Sequence, residues 1–258
     1  MNMHKRTYYL TFAIGFIVYF LVDSTLFSLC QKQVTIWTQS KALGHVIAYS
    51  ITIIPLFLTT ALLRKSIPDI PRNLGLNGNL LLGVCFAFLC TLPMLVAFTL
   101  KFELTSLSVE TIIINTISSA FFEELIYRGF LFGMLYRFTR LGFLPAIFLG
   151  SLLFGVAHLY QSTDITELAG IFMITFLGSI LFAWIYTEWN FNLWTAIFLH
   201  CFMNLYWLIF NVDDTALGGV YANVFRFTTI FLAIVGTIIY KKKSNIPMSI
   251  VRKAWWLK

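Results

Sequence analysis

Eight apolar runs, each close to twenty residues, constrain this chain more than any other feature. They lie at roughly 8–29, 43–63, 79–100, 109–135, 141–159, 168–187, 190–211 and 223–240. A helix needs about 20 mostly apolar residues to cross a bilayer. Within the hydrocarbon every backbone N–H and C=O must be satisfied internally, which leaves helices or a closed barrel. Runs of this length predict helices, so the expected fold is all-α: a polytopic membrane bundle of about eight transmembrane helices. Composition agrees, since 59% of the 258 residues are hydrophobic and only 11% are charged, against about 25% charged in soluble domains. The links between runs are short and carry breakers such as Pro68, Pro71, Asn73 and Gly75. The chain therefore reads as one integral membrane domain, 1–258, with no separate soluble unit and no internal repeat.

The basic residues set an orientation. His4-Lys5-Arg6 precedes the first run, which is too long for a signal-peptide core and is read as a retained span. With the N-terminus inside, inside segments hold thirteen basic residues: Lys5, Arg6, Arg64, Lys65, Arg72, Arg137, Arg140, Lys241, Lys242, Lys243, Arg252, Lys253 and Lys258. Outside loops hold three, Lys32, Lys41 and Lys101, while Arg128 and Arg226 fall within spans. That asymmetry places both termini in the cytoplasm. The net charge of +7 is thus explained by basic span ends, with Lys241-Lys242-Lys243 and the tail from Arg252 to Lys258 read as a plain cytoplasmic anchor and recognition of anionic membrane lipid as the alternative, and no nucleic-acid partner is expected. Cys30, Cys85, Cys90 and Cys201 are scattered through or beside apolar runs, giving neither a disulfide framework nor a CxxC metal signature.

Three polar interruptions break the second half of the pattern. The first is Glu123-Glu124 with Arg128, in the fourth run. An ionised residue at the centre of a membrane helix costs about 2.5–3.5 kcal/mol on insertion scales and is by default a functional-site hypothesis. Glu124 and Arg128, four apart, share a helix face and can pair. Glu123 is turned about 100° away and is left free to act as a base. The second interruption is His158, four residues after Phe154. The third is His200 with Asn204 one turn on, again on one face. Each has a plain structural use, as an interhelical clasp or hydrogen bond. Together they also supply the kit for hydrolysis. A carboxylate near a neutral imidazole can deprotonate water, and a second imidazole with an amide N–H can hold an oxyanion. Alternatively Glu123, His158 and His200 could bind Zn²⁺ with an open position for water. No HExxH helix is present. A proton-coupled transporter, or a catalytically silent immunity or scaffold protein, could use the same groups.

These three motifs, Glu123-Glu124-Leu125-Ile126-Tyr127-Arg128, Phe154 to His158 and His200 to Asn204, resemble those of the CAAX prenyl endopeptidase and bacteriocin-processing family of intramembrane proteases (the Abi or CPBP family). All three stand intact and in family order, and the resemblance covers roughly residues 105–210. It implies an intramembrane endopeptidase acting on a peptide or lipidated protein. Glu123 would activate water with help from His158, and His200 and Asn204 would stabilise the oxyanion. Glu124 and Arg128 would position the first helix. The resemblance leaves metal dependence open, with water attack driven by Glu123 favoured. One mismatch goes to the structure: Glu123 and His200 fall mid-span, whereas His158 falls near the end of its own.

Overall fold

The computed structural model describes residues 5–251 together with Trp255 and Trp256. His4, Arg252, Lys253 and Lys258, named above, lie outside the described residues. Among the described residues the secondary structure is helical, with no β-strand. We number the helices α1 (Lys5–Thr38), α2 (Lys41–Arg64), α3 (Ile70–Leu74), α4 (Leu80–Lys101), α5 (109–138), α6 (Phe143–Ala157), α7 (Ile165–Glu188), α8 (Leu193–Ile209) and α9 (Val220–Lys243). Six of them, α1, α2, α4, α7, α9 and α6 with its following turn, are long and apolar enough to cross a membrane. The charged α5 and the shorter α8 complete the eight predicted spans, and the protein is a multi-pass membrane protein.

Short polar side chains mark where the helices begin. Ser40, Asn79, Ser108, Asp164 and Asn192 each accept a hydrogen bond from a backbone N–H of the turn that follows, satisfying donors that a helix start leaves orphaned. Within α2 the helix is interrupted at Ile53, just before Pro55, because proline offers no N–H to the preceding turn.

Helix α5 runs through the middle of the bundle. From Gly129 to Tyr136 every residue is buried, as expected of a helix that is apolar all round. It packs against α2, α6, α7 and α8. Helices α1 and α2 form one flank, and α4, α8 and α9 the other. The close approach of α4 to α8 depends on Gly83, where an added Cβ would stand 2.7 Å from the Trp194 carbonyl carbon. Small residues permit such backbone contact between membrane helices. Gly83→Val is expected to cost about 1–3 kcal/mol of stability by overpacking, read as a lower unfolding midpoint of the purified protein. Cys85→Val, on an exposed face of the same helix, should leave the midpoint unchanged.

One end of the bundle is tied down by polar clasps. Arg137 Nη1 donates to the carbonyls of Arg72 (3.2 Å) and Asn73 (2.6 Å). Glu188 at the end of α7 pairs with buried Lys241 and accepts from the backbone N–H of Ser249 (2.9 Å) and Ile250 (2.8 Å). Arg64, at this same end, lies over the Phe138 ring. The opposite end is formed by the α6–α7 and α8–α9 links.

Candidate active site

Glu123 and Glu124 sit on one α-helical turn, Ser119–Glu124, between two π-helical stretches, Ile113–Ser118 and Leu125–Phe132. Such wider turns re-phase the faces of a helix and are frequent at functional sites. Here the turn carries Glu124 into the bundle and leaves Glu123 on a cavity wall. Glu124 and Arg128 are both fully buried, with Arg128 Nη1 3.1 Å from Glu124 Oε1. That contact lacks hydrogen-bond alignment, and among the described residues the guanidinium has no hydrogen-bond acceptor. The cation is held instead against aromatic faces, 4.3 Å from the Phe154 ring centre and 5.3 Å from that of Phe182.

His200 links the two glutamates. Its Nδ1 lies 2.8 Å from Glu124 Oε1, and its Nε2 lies 3.9 Å from Glu123 Oε2. A carboxylate that also faces Arg128 is an acceptor, so Nδ1 carries the hydrogen. The 3.9 Å separation exceeds hydrogen-bond length. Glu123 Oε2 is itself buried without a hydrogen-bond partner among the described residues, and so is free to receive a third group. The His200 ring stacks on Phe182, with centroids 5.5 Å apart.

His158 caps α6 at its end, since α6 closes at Ala157. Its position near the end of a span is therefore real. Glu123 is level with it because α5 is 30 residues long (109–138) and the glutamate pair lies halfway along it. The His158 Nδ1 stands 2.7 Å from the Phe154 carbonyl oxygen. A carbonyl can only accept, so Nδ1 is protonated and Nε2 of the neutral ring bears its lone pair. Asn204 Nδ2 donates to the Asn115 carbonyl at 3.4 Å, a long bond to the first π-helical stretch.

Glu123, His158, His200 and Asn204 all line one cavity of about 1050 Å³ between α5, α6, α7, α8 and α9. Glu124 and Arg128 stand behind its wall. The inner part is apolar, with Ile180, Trp184, Ile230 and Ile234 among its lining; Met173, Leu177 and Phe227 at its side are exposed, and the mouth carries Gln161, Asn211, Asp213, Asp214 and Thr215. Glu167 joins Asp213 and Asp214 on the rim of the adjoining outer recess. The predicted Zn²⁺ ligands share the cavity, but among the described residues no three His, Cys, Asp or Glu side chains are grouped as a metal ion requires.

Three contributors escape a reading of the sequence. Phe182 packs on both His200 and Arg128, Asn115 accepts from Asn204, and the 211–216 link forms the mouth. All are contacts between distant helices. Phe154 lay inside a motif, but its part as a platform beneath Arg128, His158 and His200 is visible only in three dimensions.

An all-helical membrane bundle with acid, imidazole and amide groups around one internal cavity defines a polytopic membrane protein built round a polar site. Residues 105–206, which carry all three motifs, match the family model for type II CAAX prenyl endopeptidase Rce1-like proteins, in agreement with the resemblance carried by the motifs. The chain is also similar to the "Putative membrane peptidase YdiL" of Bacillus subtilis (strain 168), with 30% identity over 102 residues. Those residues are 40% of this chain and 37% of the relative, so the match spans little more than a third of that protein's length.

Proposed function

We propose that the protein is an intramembrane endopeptidase that hydrolyses a peptide bond in a membrane-held peptide or lipidated protein. The observation that carries this reading is the arrival of Glu123, His158, His200 and Asn204, from two helices and a helix cap, on the wall of one cavity. The family match over residues 105–206 supports it.

The proposed chemistry follows from which atoms are free. Glu123 takes a proton from water, while the His158 Nε2 lone pair accepts the other water hydrogen and aims the oxygen. The water oxygen bonds to the scissile carbonyl carbon and drives its electron pair onto the carbonyl oxygen. His200 Nε2–H and the Asn204 amide N–H receive that oxyanion. Because Nδ1 of His200 already holds a hydrogen towards Glu124, donation from Nε2 requires the imidazolium. The charges then balance: Glu123 and Glu124 against Arg128 and His200. A neutral sum suits a site walled by apolar side chains, where an unpaired charge is costly. Collapse breaks the C–N bond, and the proton held by Glu123 passes to the departing amine. Purified protein in nanodiscs, offered a library of lipid-anchored peptides with and without a chelator, tests the reading. Cleavage that is lost in Glu123→Gln is expected, and a library left intact by the wild type contradicts it.

The same reading assigns a face. Arg64, Arg72, Arg137 and Lys241–Lys243 gather at the clasped end of the bundle, which the positive-inside rule puts in the cytoplasm together with both chain ends. The cavity mouth lies at the other end, among the α6–α7 and α8–α9 links. Substrate would then enter from the non-cytoplasmic side. In a cysteine-free background, Asp214→Cys should react with a membrane-impermeant maleimide in intact cells, and Lys243→Cys only after lysis. The reverse pattern would invert the orientation.

A further inference from the structure

Most of the buried side-chain polar atoms that lack a hydrogen-bond partner among the described residues belong to four fully buried residues. They are Glu124 Oε2, Arg128 Nε, Nη1 and Nη2, and the hydroxyls of Ser151 on α6 and Ser179 on α7. Other buried hydroxyls in the spans are spent locally. Thr91, Thr175, Thr187 and Thr237 each donate to the carbonyl four residues back, the usual recourse of a hydroxyl in a helix. Ser151 and Ser179 make no such bond, and the chemistry above uses neither. The four residues come together. Arg128 lies over the rings of Phe154 on α6 and Phe182 on α7, and the serines stand three residues before those rings, on the same helix faces. Beside Ser151, a Cβ added to Gly150 would lie 3.6 Å from the Tyr127 carbonyl oxygen and from Leu131 Cβ, on the turn of α5 that carries Arg128. A Cβ added to Gly155 of α6 would lie 2.8 Å from the Phe172 ring of α7. Since α7 returns antiparallel to α6, Ser179, seven residues beyond Phe172, comes within one turn of the level of Ser151.

This group is rich in donors. A guanidinium offers five N–H groups, while Glu124 offers two oxygens, one of them already taken by His200 Nδ1. A charged donor left unmet in apolar surroundings is costly, and buried polar groups without a protein partner are met by ordered water. The ligand this group calls for accepts from Arg128 and donates back to Glu124 Oε2. Water does both and leaves the charges of Glu123, Glu124, Arg128 and His200 in balance, whereas chloride only accepts and adds an unpaired charge. We propose that ordered water, held by Ser151 and Ser179 between α5, α6 and α7, hydrates the Arg128 guanidinium and thereby keeps Glu124 Oε1 for His200. Without that water the guanidinium turns onto both oxygens of Glu124 as a bidentate pair and competes with His200 Nδ1 for Oε1. Ser151 and Ser179 are thus positioning residues that act through Arg128 and Glu124. The water site stands independently of the endopeptidase reading; its effect on cleavage rests on that reading.

The test uses the full chain as wild type and as the double variant Ser151→Ala with Ser179→Ala. An experimental structure of the wild type that resolves ordered solvent should show water within hydrogen-bond distance of Arg128 and of at least one of the two serines. A direct bond from the guanidinium to a serine with no water between them overturns the proposal, as does chloride in that place. Nitrogen NMR of histidine-labelled protein reads the consequence: the Nδ1 resonance of His200, assigned by its loss in His200→Gln, should move in the double variant. With a lipid-anchored peptide that the wild type cleaves, kcat should fall about tenfold or more, the scale of one charged hydrogen bond, with KM unchanged. An unmoved Nδ1 resonance and an unchanged kcat in the folded double variant overturn the positioning role. If the double variant does not fold, the wild-type structure and the two single alanine variants decide. Water found and the resonance moved, with no cleavage by the wild type, keeps the water site and sinks the endopeptidase. Cleavage by a wild type without that water does the opposite, and neither water nor cleavage overturns both.

Discussion

Glu123→Gln is expected to lower peptide cleavage at least about a thousandfold while the helix bundle stays folded. General acid–base catalysis by one positioned group contributes up to about 10⁴-fold, and in this account Glu123 both receives and returns the proton. Glutamine keeps the size of the side chain and removes the basic oxygen. Among the described residues Glu123 forms no ion pair closer than the 3.9 Å approach of His200, so losing its charge removes little that holds the fold. The substitution should therefore act on kcat, with unfolding midpoint and elution profile unchanged. Activity near the wild-type level would remove Glu123 from the chemistry. A collapse of the fold would make it a structural residue.

The neighbouring carboxylate has the opposite character. Arg128→Met is expected to destabilise the protein by about 3–5 kcal/mol, because it leaves a fully buried Glu124 without its cation. Removing both partners, as Glu124→Gln with Arg128→Met, should recover much of that loss, since an uncharged pair of similar volume costs far less than a lone buried charge. Activity should not recover with stability. Glu124 also holds His200 through Nδ1, and without that carboxylate the imidazolium loses its counter-ion and its orientation. Unfolding midpoints of the two variants in detergent, measured beside their cleavage rates, separate these effects. A loss below about 1 kcal/mol in Arg128→Met would show that the pair does not carry the weight assigned to it.

How far the sequence reveals this arrangement depends on the kind of contact. The eight long helices follow from run length, because in lipid there is no alternative way to satisfy the backbone. That the adjacent glutamates face different neighbours follows from the 100° step of a helix, and Glu124 does turn to Arg128 while Glu123 faces the cavity. The bond from His200 to Glu124 is not legible, because nothing in the patterns of α5 and α8 fixes which polar side chain of one helix meets which of the other. The two π-helical stretches of α5 leave no residue signature, and the buried Glu188–Lys241 clasp joins positions 53 residues apart. Arg226 stood out as a charge inside a span, but its place on the shared cavity needed the packing of α9.

A water molecule shared by Glu123 and His158 would couple the two residues kinetically. Cleavage rates of Glu123→Gln, His158→Ala and the double variant form a cycle. If both side chains act on one water molecule, either single substitution removes the same step, and the double variant should be scarcely slower than the worse single one. Losses that multiply would mean that the two residues work independently, which contradicts a shared reactive water in this cavity.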